Sequence, residues 1–196
     1  MLKIGTPVLF VLTIGVIYPI YAQDIPNKER QISQAVMAAP QNQRTDATVL
    51  GYNATGEVVL LREGQGDLVC LANNPSASKF SVACYHKDLE PFMARGRELK
   101  AQGLDFKTIF DTREEEVKSG KLNIPQNSTL MVLTGTENPE TGFVSNTHTR
   151  YVVYIPFATS KSTGLSEKPL GPGAPWIMNP GTHRAHIMIT PPNPKI

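Results

Sequence analysis

Apolar residues recur at Ile32, Ala35, Val36 and Ala39, one face of a helix, so the spacing predicts a helix over 26–39 that Pro40 stops. The period then changes. Residues 46–52 and 57–62 read as strands, with Asn53-Ala54-Thr55-Gly56 between them as a hairpin turn. Glu63-Gly64-Gln65-Gly66 makes the next turn, and residues 67–72 and 80–85 form two more strands around Asn73-Asn74-Pro75-Ser76. Connections this short leave no room for a crossover, which predicts a four-stranded antiparallel meander over 46–85.

Helical spacing returns at Leu89, Phe92, Met93 and Leu99, with Asp88 as N-cap, Pro91 in the first turn and Gly103 just past the end. Asp105 caps a second helix whose inner face is Phe106, Ile109, Phe110 and Val117. Glu114 and Lys118 are an i,i+4 pair in it, and Gly120 ends it. The run Glu114-Glu115-Glu116 reads as a solvated outer face. Strands at 128–134 and 150–157 bracket a polar stretch from Gly135 to Thr149. Residues 158–184 are rich in Pro and Gly and are expected to wrap the surface, ahead of a last strand from Ala185 to Ile189. Seven prolines between Pro169 and Pro194 exclude a helix there. The predicted class is α+β: an antiparallel or mixed sheet of six to seven strands, with two or three helices packed to one side, in a single domain over 23–196.

Residues 1–22 read as a secretory signal: Lys3 is the positive start, Val8–Ile17 the apolar run, Pro19 its break, and Tyr21-Ala22 the cleavage point. The span contains Pro7, Gly15 and Pro19 and falls short of the roughly 20 residues that cross a bilayer. The expected address is the periplasm or the extracellular space. In an oxidising compartment Cys70 and Cys84, both flanked by strand-like residues, are expected to form a disulfide between neighbouring antiparallel strands. Their spacing is not the C-x-x-C of a redox pair.

Charged residues are only 18% of the chain and the formal charge is +2, which leaves no basic stripe for nucleic acid. G-x-S-x-G and P-loop motifs are absent. Four histidines are the candidates for metal or proton chemistry. His183 and His186 form an H-x-x-H, His86 follows a cysteine strand and His148 precedes a strand. In a strand, positions three apart point to opposite faces, so joint ligation of zinc or copper requires a turn through 182–185. The alternative is four independent histidines. Trp176, the only tryptophan, either lines a pocket or anchors its irregular segment to the core. Arg62 and Tyr85-His86 end apolar strands of the expected meander, where they would meet a ligand carboxylate. Arg95-Gly96-Arg97 with Lys100 reads as a wet helix face.

Several short pieces recur together: a helix ending Ala38-Ala39-Pro40, then Ala47-Thr48-Val49-Leu50 and Leu61-Arg62-Glu63-Gly64. A cysteine pair bracketing a turn follows. The last pieces are Pro175-Trp176-Ile177-Met178 with Pro180-Gly181 and Ala185-His186-Ile187-Met188-Ile189. With the signal sequence, they make a pattern that resembles small exported bacterial proteins of unassigned function, over most of the mature chain. Those relatives carry a Gly-Pro-His-Val-Met type ending; here it is Arg184-Ala185-His186-Ile187-Met188, and only His186 and Met188 match. The resemblance implies export and a shared domain, and it transfers no catalytic residue. The function expected from the chain is a monomeric, non-catalytic module without cofactor that binds a small molecule or an envelope protein. Two alternatives stand beside it. One is a hydrolase with a metal on His183, His186 and one of His86 or His148; the other is a structural envelope component.

Overall fold

The computed structural model describes residues 25–193, so the signal segment expected over 1–22 lies outside the described residues. Asn27 caps the first helix, α1 (Lys28–Ala35), by accepting from the Arg30 amide, and the chain then tightens into a 3-10 turn over Val36–Ala38 before Pro40. The helix expected over 26–39 is thus shorter at both ends. Eight strands follow in one sheet: β1 (Thr48–Tyr52), β2 (Val58–Arg62), β3 (Leu68–Leu71), β4 (Phe80–His86), β5 (Thr129–Glu137), β6 (Val144–Tyr154), β7 (Trp176–Met178) and β8 (His186–Ile189). Helices α2 (Glu90–Ala101) and α3 (Phe106–Lys118) lie between β4 and β5, and the single turn α4 (Ser160–Thr163) lies between β6 and β7.

The strand order is β2-β1-β3-β4-β5-β6-β8-β7, and every neighbouring pair is antiparallel except β1 and β3. The sheet is mixed, and the antiparallel meander expected over 46–85 is corrected here. Short connections do exclude a crossover between consecutive parallel strands, but β2 and β3 remain antiparallel to each other. Their connection only has to pass around the end of β1. It does so at Gly64, where a Cβ would lie 2.2 Å from the Asp46 carbonyl oxygen, and Gly66 donates its amide to that same oxygen. Arg62 secures the passage by donating to the carbonyls of Ala47 and Arg44.

Helices cover both faces, not the one side expected. Consecutive strand residues point to opposite faces, and Val69 and Cys70 belong to different cores. On one face α1 and its 3-10 turn pack Ala35, Val36 and Ala38 over Val49, Cys70, Val82, Cys84 and Leu133. Cys70 and Cys84 face each other across β3 and β4 and form the expected disulfide inside this core. On the other face, α2 supplies Phe92 to a core with Val69, Tyr85, Val152, Tyr154 and Met188, which Val117 of α3 borders.

The remaining differences have local causes. The polar stretch 135–149 is not a loop: β5 and β6 extend through it to a turn at 138–143, and at that tip Thr, Ser and Asn sit on strands with water beside them. The Pro-rich segment holds α4 and the edge strand β7, an edge being where flanking prolines are tolerated. The cap near the start of α2 is His86, whose Nδ1 accepts from the Asp88 amide, rather than Asp88. Asp105 caps α3 as expected. Phe106, expected inside, is 72% exposed, and Arg113 is turned inward instead. No described helix is long and apolar enough to cross a membrane.

Candidate functional site

The face of the sheet that carries α2 is not fully covered. Leu50 and Tyr52 of β1 stand opposite Leu60 and Val58 of β2, and Leu71 and Ala83 continue the same face on β3 and β4. Beyond the edge of α2 these side chains floor a groove of about 990 Å³. Its other wall is the helix stripe Glu90, Ala94, Arg97 and Ala101, spaced four, three and four residues apart. Leu60 is 56% exposed and Val58 36% exposed, so the groove's edge carries a contiguous apolar patch.

Polar residues also line the groove, Glu57, Asn73, Asn74, Glu98 and Lys100 among them, and one cation in it is held by fixed partners. Arg97 donates to Glu90 and to the Tyr85 hydroxyl (3.1 Å), and Tyr85 donates to the other oxygen of Glu90 (2.6 Å). Burial works against the charge on Arg97, but Tyr85 and Glu90 outweigh it and hold its pKa above the ordinary value. Burial pushes the Tyr85 phenol up as well, so Tyr85 stays a neutral donor. A guanidinium has five N–H donors, and the two bonds described leave others for a ligand in the groove.

None of the three residues expected to meet a ligand lines this groove. Arg62 is committed to backbone carbonyls at the start of β1. His86 serves as a cap beside Asp88. Trp176 is half-buried on β7 and packs against the second core, the anchoring role. The cation that reaches Tyr85 is Arg97, from the cluster read as a wet helix face. The Glu90-Ala94-Arg97-Ala101 stripe was the signal: small residues with one cation, beside the apolar stripe that faces the core.

The histidines occupy four different settings. His183 has no exposed surface; its Nδ1 lies 3.3 Å from Glu114 and its ring meets the edges of Phe92 and Phe110. Burial lowers its pKa to about 4, against a smaller opposing effect of Glu114. His186 is buried on β8, with Nδ1 2.7 Å from the Arg184 carbonyl oxygen, and burial lowers its pKa too. His148 meets Asn193, and His86 stands at the end of β4. Among the described residues no three His, Cys, Asp or Glu side chains are placed to hold a metal ion, so the trio that a metal-dependent hydrolase needs is not assembled there. The glutamate run also differs from a solvated face: Glu114 binds Lys118 and His183, and Glu116 binds Arg95 through two nitrogens.

No protein-family model matches the chain, and neither a curated protein nor a solved structure does so.

Proposed function

We propose that this chain is an exported, non-catalytic binding domain, and that it holds a small molecule with an apolar body and one anionic or polar group in the groove between α2 and strands β1–β4. The observation that carries the reading is the pairing of exposed Leu60 and Val58 with an Arg97 already oriented by Glu90 and Tyr85. Small-molecule sites combine apolar walls with a few placed polar groups in this way. Export is supported by the Cys70–Cys84 disulfide, which belongs to oxidising compartments. A naphthalene sulfonate dye, with an apolar body and one anion, is the probe. Saturable one-site fluorescence enhancement that is lost in Leu60→Asp and weakened in Arg97→Gln supports the reading. No saturable enhancement, or binding unchanged in Leu60→Asp, overturns it.

A second reading, an envelope protein as partner, is favoured by β2 itself. It is an edge strand of the sheet, no strand among the described residues pairs with its outer side, and residues 58–62 contain neither Pro nor Lys. Such an edge accepts an added strand. Crosslinking in the periplasm through a photoreactive residue at Val59 tests it, with Leu60→Lys expected to abolish any specific adduct.

A further inference from the structure

The opposite flank of α2, away from the groove, faces α3 and the segment before β8. Three buried polar atoms there have no hydrogen-bond partner among the described residues: Arg113 Nε, Arg184 Nε and His183 Nε2. Arg113 is 7% exposed, and its guanidinium carbon lies 4.2 Å above the Phe92 ring. Its guanidinium donates to the Phe92 carbonyl at 3.3 Å. Arg184 approaches the rings of Phe106 and Phe110 at 5.6 and 5.8 Å, and it opposes the upward push that burial gives the buried Tyr154 phenol.

The charges do not balance. No salt bridge joins Arg113 or Arg184 to a carboxylate among the described residues. Of the glutamates on the same helix, Glu114 is engaged with Lys118 and His183 and Glu116 with Arg95, while Glu115 is exposed to solvent. Two guanidinium groups therefore lie among neighbouring aromatic rings with no carboxylate bonded to either, and the charge of Glu116 only partly offsets that of Arg113; such an arrangement is costly unless an anion completes it. Burial, and after it the charge of Arg184, lowers the pKa of Arg113 to about 10. The side chain is nonetheless accommodated deliberately: Gly96 leaves the room that Arg113 occupies, since a Cβ there would stand 2.8 Å from Nη1.

We infer that Arg113 and Arg184 form an oxyanion site that takes the carboxylate or phosphate group of a small ligand. The Nε–H group of each arginine is the unused donor, and a guanidinium edge pairs with two oxygens of either group. Arg184 is only partly buried and lies beside the exposed Phe106, which places the entrance at the start of α3. His183 supplies a third polar atom. The Glu114 carboxylate favours a proton on its Nδ1, so the unpartnered Nε2 carries a lone pair, which can accept from a monoprotonated phosphoryl group but not from a carboxylate.

The test observes the unused donors themselves. Inorganic phosphate and acetate are titrated separately into the full mature domain at low salt, and the arginine Nε–H resonances are followed by NMR. Saturable shifts of the Arg113 and Arg184 signals below about 10 mM anion are expected. Tighter phosphate binding assigns a phosphoryl ligand and tighter acetate binding a carboxylate. Arg184→Gln is expected to weaken the response at least about tenfold, and Arg184→Lys to weaken it less. Resonances of these two arginines that stay fixed in the wild-type domain overturn the site whatever the variants do. So does binding that persists unchanged in a folded Arg184→Gln.

Discussion

Gly96 on α2 lies directly against the guanidinium of Arg113 on α3, with no space for a methyl group between them. The glycine weakens its helix, by roughly 0.5–1 kcal/mol relative to alanine, and gives Arg113 its position over Phe92. Gly96→Ala restores the helix propensity but drives Arg113 off the ring, forfeiting a stacking contribution of about the same size. The expected outcome is a urea midpoint close to wild type with a displaced Arg113 Nε–H resonance. A midpoint raised by the full helical gain, with that resonance unmoved, would show that Arg113 yields at no cost.

Gly64 meets a harder obstacle. The atoms nearest to its missing Cβ are backbone, the Asp46 carbonyl oxygen at 2.2 Å and the Ala47 carbonyl carbon at 2.4 Å, and backbone cannot rotate away. Gly64→Ala is expected to destabilise by about 2–4 kcal/mol, the range for forced overpacking and backbone strain together. Gly56, in the turn before β2, has open space around its Cβ position but a φ of +79°. Gly56→Ala should cost only about 1 kcal/mol. Equal losses in the two variants, measured by urea denaturation, would refute the close passage at Gly64.

The disulfide joins residues 14 apart that already face each other across a ladder. On the chain-entropy account, closing a loop of this size contributes about 3 kcal/mol. A Cys70→Ala/Cys84→Ala domain should therefore lose about that much stability while keeping its far-UV circular dichroism. Both sulfurs are in the core, so reductant alone should act slowly on the native protein and quickly in denaturant. Rapid reduction of the native form would contradict the burial.

Stability should fall as the medium is acidified. His183 and His186 are held below the ordinary histidine value by burial, His183 at about 4. The unfolded chain therefore takes up protons first as pH falls below about 6.5, and unfolding is favoured down to about pH 4, where folded His183 titrates as well. Glu114 adds a separate loss at lower pH. Its carboxylate is held below the usual value, first by Lys118, and stabilises the fold only while ionised. Melting temperatures between pH 8 and 4 should show the slope, and His183→Phe should flatten it, leaving the part due to His186. An unchanged slope in that variant would count against a buried, neutral His183.

Much of the local structure was legible because single residues carry it. Asp105 needs only its own carboxylate to cap α3, the hairpin joining β1 and β2 follows from its turn residues, and the cysteines sit in register because both lie mid-strand. The parallel pairing of β1 with β3 was not legible. It depends on how closely one backbone passes another at Gly64, and spacing says nothing of that. Arg113 occupies an inward position between Phe110 and Val117, but a charge there reads as solvent-facing. Its place inside follows from Gly96 and Phe92, which come from a different helix. The groove was hidden for a related reason. Its floor is made of ordinary core-type residues, Leu50 and Leu71 among them, and only the limited reach of α2 over the sheet leaves them uncovered.

The sheet follows chain order from β3 to β6 and reverses the last pair at each end. As a result the first strand, β1, and the last, β8, each have a neighbour on both sides, while the rims β2 and β7 are internal stretches held by the chain at both of their ends. Strand exchange between copies begins with a strand that peels free. Freeing β1 or β8 would have to break two ladders at once, so the layout resists exchange of either strand between copies.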